Sequence, residues 1–173
     1  ATALEIPPDI IRLGLEKFTP YDKRFNLEEL DGIVLIDDSY NANPASMRAA
    51  LATLADIREE CRAIAVLGDM LELGKIAAEA HREVGKLAAA CVERLYAMGE
   101  MAETVANGAR EAGLSPEEVI VAADHEEILA DLRKTVKPGD FILVKGSRGM
   151  EMEKVAAGIR RLFAGVYRKG AVA

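Results

Sequence analysis

The 173-residue sequence has no tryptophan, only 5% aromatic residues, two histidines and two cysteines. His81 and His125 are isolated, so neither a metal site nor a Ser/His/Asp or Cys/His arrangement can be built on them. Cys61 and Cys91 form neither a CxxC pair nor a His-flanked metal spacing, and Cys91 is expected on the apolar face of a helix as a small core residue. An excess of basic charge is missing too. The net charge of −7 leaves no basic stripe to neutralise the phosphates of a nucleic acid. No apolar stretch approaches the ~20 residues of a membrane span, and no basic-then-apolar leader opens the chain. These absences set the expectation of a cytoplasmic protein with neither a nucleic-acid partner nor a membrane span.

Self-sufficient nucleotide cradles are also missing. There is no GxGxxG. The segment Gly68-Asp69-Met70-Leu71-Glu72-Leu73-Gly74-Lys75 resembles a P-loop but puts five residues between its glycines, and Ile76 follows the lysine where Ser or Thr should hold Mg²⁺.

What is present is an apolar core and a regular alternation. Half of the residues are hydrophobic. Residues 8–17 read as one short helix broken by Phe18-Thr19-Pro20, too small to bury its own apolar face, and so a connector or the tail of a preceding domain. Arg24 to Leu30 and Ile33 to Asp38 flank Asp31-Gly32, a pair suited to a two-residue hairpin turn. Strands are expected at Arg62–Leu67, Arg94–Met98, Val119–Ala122 and Phe141–Val144, each Val/Ile/Leu-rich and each followed by a helix with apolar residues on one face. Strands spaced by single helices imply right-handed crossovers. The expected fold is α/β: a Rossmann-like, doubly wound, mostly parallel sheet with one antiparallel edge strand.

In such a sheet the parallel strands end on one rim. Here those ends carry Asp37 and Asp38, Asp69, Glu100, Asp124 with His125, and Lys145 with Arg148. For Glu100, Asp124 and His125 an ordinary polar loop explains the composition. The first and last loops are chemically denser and opposite in sign. Ile33-Val34-Leu35-Ile36 runs straight into Asp37-Asp38-Ser39-Tyr40-Asn41-Ala42-Asn43 and then Pro44, which suits the first turn of a helix. Lys145-Gly146-Ser147-Arg148-Gly149 is expected to lead into a helix near Met150, where glycines allow close approach and Arg148 can hold an anion bidentately.

The run Asp37–Met47 resembles the start of the C-terminal domain of the Mur ligases. Arg24-Phe25, Val66–Gly74 with His81 and Gly85, and Val144–Met150 agree in order and spacing, so the likeness covers about residues 20–165. Within the family it is most similar to the enzymes that join D-alanyl-D-alanine to UDP-MurNAc-tripeptide. The resemblance implies residues 1–20 as the tail of a central ATPase domain and residues 21–173 as the C-terminal domain. It also implies that the P-loop and the Mg²⁺ ligands lie in the missing central domain, which would hold most of the ATP and Mg²⁺, with a further N-terminal domain for the UDP-sugar. The roles it implies are Arg24, Asp38 and Tyr40 toward ATP, and Asn41, Asn43 and His81 toward the reacting groups. Lys145, Ser147, Arg148 and Asp69 fall on the side of the added dipeptide, with Asp69 and His81 either lining the same cleft or bracing it; Tyr40 stands where some relatives place a lysine. Two alternatives stay open. One is another amide ligase of the superfamily, such as a tripeptide-building Mur ligase or folylpolyglutamate synthetase. The other is a receiver-like signalling module, although its acceptor Asp belongs at the end of the third parallel strand, where this chain has Met98-Gly99-Glu100.

Overall fold

A computed structural model describes residues 6–16 and 23–164. Helix α1 spans Pro8–Glu16 and leaves Ile10 and Leu13 exposed. The break expected at Phe18–Pro20 lies outside the described residues. The remainder reads β1 (Asn26–Leu30), β2 (Ile33–Asp38), α2 (Pro44–Ile57), β3 (Ala63–Gly68), α3 (Ala77–Ala89), β4 (Arg94–Met98), α4 (Ala102–Glu111), β5 (Val119–Ala122), α5 (His125–Thr135), β6 (Phe141–Lys145) and α6 (Glu153–Phe163).

The six strands lie in the order β1-β2-β6-β3-β4-β5. Only β1 and β2 pair antiparallel, with Leu30 opposite Ile33, and the other four pairings are parallel. Asp31 and Gly32 both take positive φ (40° and 93°), the conformation that a tight hairpin with the strand's own twist requires. The expected doubly wound sheet with one antiparallel edge strand is the observed architecture.

The period-2 pattern of the strands divides the core. Along β3, Ala63, Ala65 and Leu67 face one side, with Met47 and Leu51 of α2, Val84 and Ala88 of α3, and Val105 of α4. Ile64 and Val66 face the other, with Ile128 of α5 and Val155 and Ile159 of α6. Burial on both faces explains why these strands read as continuous apolar runs. Helices α3 and α4 touch through glycine: a Cβ on Gly85 would stand 2.0 Å from the Val105 carbonyl oxygen, and one on Gly108 2.2 Å from that of Arg82.

Of the boundaries that differ from expectation, three bear on the core or the site. Cys91 follows the end of α3 instead of lying within it; its side chain packs against the core edge, and burial pushes its thiol pKa up. Strand β6 continues through Lys145, because its parallel pairing with β2 runs to Asp38 and supplies a charged partner there. No α-helix starts at Met150. Arg148–Met150 is a single 3-10 turn, Glu151 follows in the left-handed region at φ 49°, and α6 begins only at Glu153. The Ser147–Gly149 turn therefore does not sit on a helix N-terminus.

The layering also opens the sheet. Helix α2 leaves β2 toward one face while α6 leaves the adjacent β6 toward the other. Between strands whose helices diverge, the loops part at the carboxyl ends and leave a crevice.

Candidate active site at the carboxyl ends of β2 and β6

The crevice is floored by polar side chains that bond to one another. Asp38 and Lys145 are partners in the parallel register, so their side chains leave the same face. Lys145, 2% exposed, donates from Nζ to Asp38 Oδ2 at 2.6 Å and to the Asn41 carbonyl at 3.0 Å. Asp38 Oδ1 accepts the Phe25 N–H at 3.0 Å, which draws the Arg24–Phe25 segment against the end of β2. Ser147 holds three loops together. Its N–H donates to the Asp69 carbonyl, and its hydroxyl accepts the Leu71 N–H at 2.8 Å and donates to the Ala42 carbonyl at 3.3 Å.

Asp69 and His81 belong to this framework. Both Asp69 oxygens accept from the Glu100 and Met101 backbone N–H groups, at 2.7 to 3.3 Å, where the chain turns into α4. His81 is buried with both ring nitrogens engaged. Nε2 accepts the Met70 N–H at 2.9 Å and Nδ1 donates to the Ala77 carbonyl at 2.6 Å. Asp69 Oδ1 lies 3.9 Å from Nε2, but since that nitrogen is an acceptor the contact is not an ion pair. Neither residue lines the clefts described next.

Above the floor two clefts of about 370 Å³ each open side by side. One is lined by Arg24, Phe25, Asp38, Tyr40, Asn41, Asn43, Ser46 and Lys145. The other is lined by Asn41, Ala42, Asn43, Leu71, Glu72, Ser147, Arg148 and Gly149. Tyr40 stands at the junction, its ring 4.5 Å below the Arg24 guanidinium and 5.8 Å from that of Arg148.

Asn41 and Asn43 form the wall common to both clefts. Asn43 caps α2: its Oδ1 accepts the Ser46 N–H at 2.9 Å, and Ser46 returns the bond to the Asn43 N–H. Asn41 Oδ1 accepts the Ala42 N–H at 2.9 Å. With each carbonyl oxygen turned to backbone, each amide presents its Nδ2 as a donor. Neutral donors next to arginine suit phosphate or carbonyl oxygens. Among the described residues no group of three or more His, Cys, Asp or Glu side chains converges to hold a metal.

Of the residues picked out in the sequence, Arg24, Asp38, Tyr40, Asn41, Asn43, Lys145, Ser147 and Arg148 come together here, while Asp69 and His81 brace the loops from below. A separate, wider crevice of about 710 Å³ collects Glu100, Asp124 and His125 at the ends of β4 and β5. There Asp124 caps α5 and His125 Nε2 donates to the Met150 carbonyl. Sequence reasoning passed over Leu71 and Glu72. They lie in the segment weighed as a P-loop and matched to the family as a stretch, and nothing in their spacing marks them as cleft-lining.

The family model described as "Mur ligase, glutamate ligase domain" matches residues 23–148. The UDP-N-acetylmuramoyl-tripeptide–D-alanyl-D-alanine ligase of Bacillus subtilis is 31% identical over 152 residues, covering 87% of this chain and 33% of the relative. That of Treponema pallidum is 37% identical over 167 residues, 93% of this chain and 35% of the relative. The crystal structure of MurF ligase from Thermotoga maritima in complex with ADP matches with a TM-score of 0.73 and 27% identity, over 90% of this chain and 36% of that one. The chain spans about a third of the length of the curated relatives it matches. No described helix is long and apolar enough to cross a membrane. By the extent of the family match and the agreement of its fold, the chain belongs to the Mur ligase family.

Proposed function

We propose that this chain is the C-terminal domain of an ATP-dependent ligase that joins D-alanyl-D-alanine to UDP-MurNAc-tripeptide for peptidoglycan. Residues 1–20 are then the tail of a central ATPase domain, and residues 21–173 close over that domain as a lid. The observation that carries the reading is the shared wall: Asn41 and Asn43 line two adjacent clefts at once. Two substrates held on either side of it meet at the amides.

In this reading the Arg24 cleft takes the nucleotide. Tyr40 and Arg24 offer a flat cationic surface, and Asp38 offers a carboxylate oxygen to ribose hydroxyls. The Arg148 cleft takes the incoming dipeptide, whose carboxylate pairs with Arg148. The reaction class is amide formation through an acyl phosphate. The dipeptide's amine attacks the activated carbonyl carbon, a C–N bond forms, the C–O bond to phosphate breaks with its electron pair leaving on phosphate, and the proton shed by the nitrogen is taken up by the released phosphate or by water. The Nδ2 donors of Asn41 and Asn43 stabilise the negative charge that gathers on oxygen along this path. Lys145, Ser147, Asp69 and His81 hold the loops that place them. In this reading the metal ion that accompanies the nucleotide draws its ligands from the rest of the ligase. A cytoplasmic location follows from this role.

The relatives named UDP-N-acetylmuramoyl-tripeptide–D-alanyl-D-alanine ligase favour this reading over a tripeptide-building or folate-type ligase. The test is to offer the intact ligase ATP, UDP-MurNAc-tripeptide and a panel of single amino acids and dipeptides. Phosphate release and product with D-alanyl-D-alanine alone is expected. Preference for a single amino acid contradicts the reading. The chain by itself is expected to show no turnover, and robust ATP-dependent ligation by it contradicts the lid.

A further inference from the structure

The cleft beside Arg148 carries one acid and one base. Glu72 and Arg148 both line it, both are exposed, and among the described residues neither side chain is paired with an opposite charge. The rest of the lining is two amides, the committed hydroxyl of Ser147, Gly149, and the apolar Ala42 and Leu71. At about 370 Å³ the cleft is near the lower end of small-molecule sites. A ligand complementary to it is small and bears an ammonium, a carboxylate and short apolar side chains. The two ends of a dipeptide lie within roughly 7 Å of each other, so one such molecule is short enough to lie in the cleft that both residues line.

The backbone at Glu72 points the same way. Its φ of 65° is in the left-handed region, where a Cβ is disfavoured and glycine is the usual residue. The preceding residue is anchored, since the Leu71 N–H is bound by the Ser147 hydroxyl. A carboxylate kept in a conformation that its own backbone resists, at the mouth of a cleft, is a candidate for function. We infer that Glu72 reads the ammonium end of the incoming dipeptide while Arg148 reads its carboxylate. This rests on the function proposed above and adds the residue that selects a free amine.

The test uses the intact ligase and D-alanyl-D-alanine itself. Glu72→Gln keeps the shape and removes the charge. It is expected to raise the KM for D-alanyl-D-alanine about tenfold, the worth of one charge-assisted hydrogen bond, with the KM for ATP within about twofold of wild type. Glu72→Gly removes the side chain and relieves the backbone. It should reproduce the KM rise while leaving the melting temperature unchanged or raising it by a few degrees. That pairing separates binding from a structural role, because a merely structural Glu72 would not gain stability as it loses the substrate. If both variants still use D-alanyl-D-alanine with an unaltered KM, or if the KM for ATP rises as much, Glu72 does not read the ammonium and the proposed function stands. If the wild-type ligase does not use D-alanyl-D-alanine at all, the proposed function fails and the role of Glu72 falls with it.

Discussion

Two tiers of polar residues occupy the same rim of the sheet, and they behave as different materials. In the lower tier Lys145, Ser147, Asp69 and His81 are almost fully buried, and each bonds to main chain or to an opposite charge. In the upper tier Arg24, Tyr40, Asn41, Asn43 and Arg148 are exposed and line the cleft mouths or stand at their junction. The difference teaches that a charge at a strand end is no measure of its access to ligand. Strand pairing decides: Lys145 is locked beside Asp38 by register, whereas Arg148, three residues on, has left the strand and reaches solvent.

The two tiers predict different consequences of substitution. Lys145→Met should have the largest effect on stability, since it leaves the half-buried Asp38 without its cation and the Asn41 carbonyl without its donor. Breaking a buried pair costs about 3 kcal/mol at the low end, or roughly 10 °C in melting temperature for a chain of this length. A shift under about 2 °C by calorimetry would place Lys145 in the upper tier instead. Ser147→Ala is next, orphaning the Leu71 N–H for about 1–2 kcal/mol; both KM values should also rise, because the loops on either side of the clefts lose their link.

Glu28, on the antiparallel edge strand, supplies a control away from both clefts. The hydrogen bond from Arg160 lowers its pKa below 4.5, outweighing the opposing effect of burial. A carboxyl more acidic folded than unfolded contributes fully above pH 4.5, and that contribution fades as the pH falls below it. Glu28→Gln should therefore lower stability at neutral pH by about 1 kcal/mol or less and flatten its decline in acid, with both KM values unchanged. An acid-unfolding profile that keeps its wild-type slope would remove Glu28 from the pH response.

Much of the fold was legible because burial on both faces makes each strand a short apolar run. Val119–Ala122 and Arg94–Met98 are bounded as expected. The upper tier was legible too, as dense polar loops next to such runs. The lower tier was legible only in part: its residues stand out, and bracing was one of two readings for Asp69 and His81. Lys145 reads as a loop residue, because the Asp38 that draws it into β6 is 107 positions away and adjacent only once β6 inserts between β2 and β3. The roles of Asp69 and His81 depend on backbone N–H groups, which leave no trace in side-chain pattern. Glu72 stayed hidden for a related reason. Its left-handed backbone sits next to the Leu71–Ser147 bond, which exists only in the folded chain, and the residue type does not advertise it.

The most direct test of two clefts divided by one wall is a pair of substitutions in the intact ligase read by steady-state kinetics. Arg24→Ala should raise the KM for ATP about tenfold or more and leave that for D-alanyl-D-alanine near wild type, and Arg148→Ala should do the reverse. Equal rises of both constants in each variant would mean that the arginines serve a single site, and would contradict the account.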